Sequence, residues 1–180
     1  VRALVYMGMN ETALAEDSFR TALSMRDSDP DVLNNYGWFL CQNNRYAEAK
    51  AMLQRAVQAP SMNGPVKPLT NLGACEMRNG DLISAQKSLQ TAYGYDRNDP
   101  ALLTNLAQLS FQRGEMPQAK DYVGRVNSSR FASAQSLWLG ARIARRQGDT
   151  DTQNALTAQL RSRFPDSREL TAYERGAWDE

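Results

Sequence analysis

Histidine is missing altogether from this sequence of 180 residues. Its absence removes the commonest general base and metal ligand, and with them the Ser/His/Asp and Cys/His arrangements of nucleophilic catalysis. Cysteine is scarce, with Cys41 and Cys75 alone. Their spacing fits neither a zinc site nor a CxxC redox pair. Two readings stay open: buried reduced thiols, or a disulfide formed in an oxidising compartment. Neither sign of charge is in excess, 21 Lys+Arg standing against 20 Asp+Glu for a formal +1. The basic surface expected of a nucleic-acid binder is therefore not indicated. No apolar run reaches the roughly 18 residues of a membrane span. No stretch from Val1 onward reads as a secretory signal. Because Arg2–Tyr6 already reads as helix interior, the expectation is that the repeat starts upstream, so the missing leader says nothing of location. Glycines occur singly in turns rather than as a phosphate cradle, and the acidic and hydroxyl side chains do not converge. No catalytic residue, metal or cofactor is expected.

What the sequence does contain is a repeat. The stretch Asn34-Asn35-Tyr36-Gly37-Trp38-Phe39-Leu40-Cys41 reads as mid-helix. A glycine there costs roughly 1 kcal/mol against alanine, which points to another helix passing close to Gly37. The same logic returns at Asn71-Leu72-Gly73-Ala74-Cys75 and at Asn105-Leu106-Ala107-Gln108. Small residues keep the interval: Ala15, Ala49, Ala85 and Ala119; Ala22, Ala56 and Ala92; and Gly80, Gly114 and Gly148, the last set spaced by 34. The interval stretches once to 36, around Ala59–Pro65. Three series holding a 34-residue period are the tetratricopeptide spacing.

The pattern predicts an all-α, right-handed superhelix of about five helix-turn-helix repeats with a C-terminal capping helix, forming one domain over 1–180. The repeats fall at 1–29, 30–65, 66–99, 100–133 and 134–167, and the last helix at 168–174. Helices are expected to about Met7, then over Thr12–Met25, Asp31–Gln42, Tyr46–Gln58, Lys67–Arg78, Leu82–Tyr93, Ala101–Gln112 and Met116–Arg125. Gly37 is expected to face Ala49, and Ala56 to admit the next repeat. Pro30 and Pro100 suit a first helical turn, Gly80 and Gly114 a helix C-terminus, and Asp166 or Ser167 an N-cap.

Such an array offers a concave wall of first helices rather than a pocket. Repeat positions 2, 5, 9 and 12 share one stripe of each first helix. From that stripe the inferred groove takes Asn34, Trp38, Thr70, Met77, Thr104, Gln108, Phe111, Arg142 and Arg145. Trp38 is expected to be an exposed anchor, with core packing as its bland counterpart. Met77 and Phe111 are expected to extend an apolar strip suited to a helix or extended peptide. Arg142, Arg145 and Arg146 form a basic cluster, which is either a solvated face or a site for an acidic partner.

The motifs NNYGWFLC (Asn34–Cys41), NLGAC (Asn71–Cys75) and LWLGARIA (Leu137–Ala144), with Gly80-Asp81, Ala85, Gln159-Leu160 and Phe164-Pro165, resemble the PilF/PilW family of type IV pilus biogenesis and stability proteins. That resemblance covers essentially the whole chain. It implies a disulfide between Cys41 and Cys75, at positions where some members carry a pair. It also implies a pilotin on the periplasmic face of the outer membrane, anchored by a lipidated cysteine upstream of Val1; a monomer is favoured, the oligomeric state being open. Its partner would be the pilus secretin, whose localisation and multimerisation it supports, with no nucleic acid involved. Two rivals remain. One is a generic chaperone-adaptor, although Asn34 and Trp38 stand where a carboxylate clamp places lysine and asparagine. The other is a regulatory array that serves a separate catalytic domain.

Overall fold

The computed structural model describes residues 2–178; Val1, Asp179 and Glu180, the outermost positions of the expected 1–180 array, lie outside the described residues. The chain forms two compact units, Val1–Arg97 and Asn98–Glu180. All regular structure among the described residues is helical.

In the first unit the helices are α1 (Arg2–Gly8), α2 (Thr12–Met25), α3 (Pro30–Gln42), α4 (Tyr46–Gln58), α5 (Val66–Arg78) and α6 (Leu82–Tyr95). They pair as α1/α2, α3/α4 and α5/α6, with α3 and α5 also in contact. Each hairpin turns on one left-handed residue: Asn10 (φ 60°), Asn44 (φ 61°) and Gly80 (φ 81°). Asparagine tolerates that conformation because its short polar side chain bonds locally, whereas glycine meets no Cβ penalty. The turn after α5 is a Schellman closure, in which Asp81 N–H donates to Glu76 O at 2.9 Å and Gly80 N–H to Met77 O at 3.0 Å. Asp29 caps α3, its Oδ1 accepting from the N–H groups of Asp31 and Val32, and Pro30 occupies the first turn.

The core of this unit is an aromatic cluster of Phe19, Tyr36 and Phe39, with Ala15, Ala49 and Leu53 fully buried beside it. The atoms nearest Gly37 belong to Leu53: a Cβ at Gly37 would lie 2.6 Å from Leu53 Cγ and 3.2 Å from Leu53 N. The next hairpin repeats the arrangement, Gly73 facing Leu89 Cγ at 2.5 Å and Ala85 O at 3.3 Å from a notional Cβ. Alanine carries the repeat signal, while the bulkier leucine one turn on fills the glycine's space. Glu16 ties three helices together, accepting from Arg20, from Tyr36 OH at 3.2 Å and from Arg45 Nη1 at 2.8 Å. The Arg45 hydrogen bond is the main reason its carboxyl is held below the ordinary value.

The disulfide joins Cys41 on α3 to Cys75 on α5, their Cα atoms 5.8 Å apart. Both side chains are buried. The bond thus links the first helices of successive repeats.

In the second unit the helices are α7 (Pro100–Gln112), α8 (Met116–Asn127), α9 (Ala134–Arg146), α10 (Thr150–Arg163) and α11 (Arg168–Glu174). Left-handed Gly114 and Gly148 turn the two hairpins. Asp99, Ser133, Asp149 and Ser167 cap α7, α9, α10 and α11, so Ser167 rather than Asp166 is the last N-cap. Helix α10 buries only Thr157 and Leu160, as suits a degenerate end repeat. After α11 the chain folds back and lays Trp178 against Trp138, ring centroids 4.7 Å apart, with Tyr173 completing the group.

Candidate protein-binding site

The first helices of each unit carry the predicted stripe, and burial sorts it by position. Position 2 is open throughout: Asp31, Lys67, Ala101 and Gln135 are exposed. Position 5 is closed, with Asn34, Thr70, Thr104 and Trp138 all buried. At position 9, Trp38, Gln108 and Arg142 are partly buried, each keeping a solvent-facing edge, while Ala74 is buried. Position 12 is closed at Cys41, Met77 and Phe111 and open only at Arg145.

The buried polar members spend their hydrogen bonds internally. Thr70 Oγ1 donates to Val66 O and Thr104 Oγ1 to Pro100 O, each at 2.8 Å within its own helix. Asn34 Oδ1 accepts from Asn71 Nδ2 at 2.9 Å, which couples α3 to α5. Met77 and Phe111, expected as an open apolar strip, are instead covered. Phe111 lies in the second unit's core under two guanidiniums, Arg142 at 5.1 Å and Arg146 at 4.7 Å from the ring centroid. A position that looks outward on one helix is shaded when neighbouring helices pack beside it, which the 3.6-residue period of a single helix does not register.

Trp38 packs one side against the aromatic core of the first unit and leaves the other to solvent. That unit also holds an apolar recess of about 300 Å³ lined by Leu4, Phe19, Ala22, Met25 and Val32, which Trp38 does not line. In the second unit a cleft of about 440 Å³ runs between α7, α9 and α11. Gln108, Gln135, Trp138, Leu139, Arg142 and Glu169 line it, bringing predicted Gln108 and Arg142 together. Arg145 lies over Trp178, its guanidinium carbon 4.4 Å from the ring centroid. Arg142 Nε donates to Trp178 O at 2.8 Å. The contribution of Tyr173 and Trp178 had no sequence signal, because both lie past the last full period. Among the described residues no group of three or more Asp, Glu or Cys is placed to hold a metal, and no helix is long and apolar enough to cross a membrane.

Comparison with known proteins places this geometry. Tetratricopeptide-repeat family profiles match residues 1–64 and 76–137. The type IV pilus assembly protein PilF of Pseudomonas aeruginosa is 29% identical over 172 residues, covering 96% of this chain and 68% of that protein. The crystal structure of PilW, a widely conserved type IV pilus biogenesis factor, superposes with a TM-score of 0.79 at 31% identity, covering 96% of this chain and 80% of PilW. The structure of P. aeruginosa PilF gives a TM-score of 0.74 at 29% identity, covering 97% and 78%. The chain belongs to the PilF/PilW family of tetratricopeptide-repeat proteins of type IV pilus biogenesis.

Proposed function

We propose that this chain is a non-enzymatic, monomeric scaffold that acts as a pilotin, with residues 1–180 serving as one domain. It supports the outer-membrane localisation and multimerisation of the type IV pilus secretin, and through it pilus stability. It works on the periplasmic face of the outer membrane, held there by an N-terminal lipid. The observation that carries this reading is likeness to PilW over 96% of the chain at 31% identity. A disulfide between Cys41 and Cys75 supports the same setting, since such bonds persist in oxidising compartments such as the periplasm.

Contact with the partner falls to the stripe residues that keep an open edge: Trp38 in the first unit, and Gln108, Arg142 and Arg145 in the second. Asn34, Thr70 and Met77 in the first unit, and Thr104 and Phe111 in the second, are buried and leave the contact to those open members. Trp38 is the anchor, a partly buried aromatic of the kind that dominates interfaces.

The test is co-purification of the full-length lipoprotein with secretin from outer membranes, for the unaltered protein and for Trp38→Ala. Capture should weaken by about 30-fold or more, the range of interface hot spots, with helix content unchanged and the melting midpoint little moved. A collapse in stability would instead return Trp38 to the core. Normal secretin multimers in the outer membrane of a strain lacking the protein would overturn the pilotin role itself.

A further inference from the structure

The arginines of α9 carry the proposal one step further, resting on the scaffold reading above. We infer that the cleft of the second unit takes an acidic, extended segment of a protein partner, its carboxylates held by Arg145 and Arg146 beside Arg142. These three guanidiniums crowd within about one turn of helix, where like charges repel. They are nonetheless held in place: Arg142 and Arg146 over Phe111, Arg145 over Trp178, and Arg142 also by its bond to Trp178 O. A guanidinium held over an aromatic ring by cation–π attraction keeps N–H donors that match a carboxylate two at a time, as Arg145 and Arg146 can offer. Among the described residues neither Arg145 nor Arg146 makes an ion pair. Their side-chain entropy is already partly spent on the aromatic faces, so a carboxylate gains more from them than from free surface arginines.

The cleft beside them favours a polypeptide as the source of the carboxylates. Gln108 and Gln135 offer amides to a main chain, and Trp138 and Leu139 form an apolar floor. Among the described residues that line it, the acidic group is Glu169, which Arg168 engages at 3.1 Å. A flat anionic bilayer reaches exposed Arg145 and Arg146, but it cannot enter the concavity where Arg142 lies partly buried.

The test is fluorescence anisotropy with the purified chain and labelled peptides of about twelve residues, long enough to follow a groove as an extended segment. One peptide alternates Glu with Leu; in its counterparts Gln or Lys replaces Glu. The Glu peptide should bind about tenfold or more tightly than the Gln peptide, and the preference should fade as salt rises. The Lys peptide, which needs no protein variant, should not bind measurably. Arg145→Gln/Arg146→Gln should reduce the Glu peptide to the level of the Gln peptide while leaving the melting midpoint in place. Equal binding of the Glu and Gln peptides, or undiminished binding by the double variant, overturns the inference. Association with anionic phosphatidylglycerol vesicles alone also overturns it and assigns the surface to lipid. The two readings fail separately: Glu-peptide binding without secretin capture sinks only the pilotin role, and the converse sinks only this inference.

Discussion

Breaking the Cys41–Cys75 bond tests how the first unit is held together. The bond closes a separation of 34 residues. In the chain-entropy model, a loop of that length withholds enough freedom from the unfolded chain to stabilise the folded one by about 3.8 kcal/mol. The Cα separation of 5.8 Å lies inside the roughly 4.4–6.8 Å span of ordinary disulfides, so the fold brings the two positions together without displacing the helices. The reduced protein should therefore keep its helices and lose stability. In a chain of this size 1 kcal/mol moves the midpoint by roughly 2–4 °C, which gives a drop of at least about 8 °C. Three samples suffice, each melted by circular dichroism: the oxidised protein, protein reduced while denatured and refolded in reductant, and the Cys41→Ala/Cys75→Ala variant. Thiol titration of the denatured, unreduced sample should find none free. Two free thiols would refute the bond, and coincident midpoints for oxidised and reduced protein would refute the loop-entropy argument.

Substitutions at three further positions read the packing and the charge network. Gly73→Leu should cost ~3 kcal/mol through overpacking, and even Gly73→Ala should destabilise, because Leu89 Cγ stands 2.5 Å from the added Cβ. Gly124→Ala in α8 should stabilise by up to about 1 kcal/mol, since nothing lies within 4 Å of its notional Cβ; equal effects at the two sites in urea melts would contradict the close approach. Glu16→Gln should cost about 1–2 kcal/mol near neutral pH, through lost charged hydrogen bonds to Arg45 and Arg20. Glu16 has a folded-state pKa below its ordinary 4.5, so its contribution is complete above that value and disappears as pH falls through the folded pKa. The gap between wild type and variant should close in acid, and a gap of constant size from neutral pH to about pH 3 would count against the network.

Much of the architecture was legible because a repeat states the same constraint several times. Helix Thr12–Met25, helix Tyr46–Gln58 and the final helix Arg168–Glu174 have the expected bounds, and Pro30 and Pro100 take the expected first-turn positions. Asn10 and Asn44 hold the left-handed place that glycine marks later, so the turn recurs even where its residue changes. The candidate site was less legible. Trp38 and Arg145 keep open edges, but Met77 and Phe111 do not, and the Trp178 side chain that props Arg145 follows no period at all.

Hairpin spacing and capping residues are local demands, so the order of amino acids settled them by itself; the glycines at positions 37 and 73 were legible because the repeat marks them twice. Which leucine fills the space beside each glycine, and which stripe residues stay wet, depends on side chains brought from distant parts of the chain. So does the meeting of three arginines with two aromatic faces. Burial is a property of neighbours, and only the folded chain supplies the neighbours.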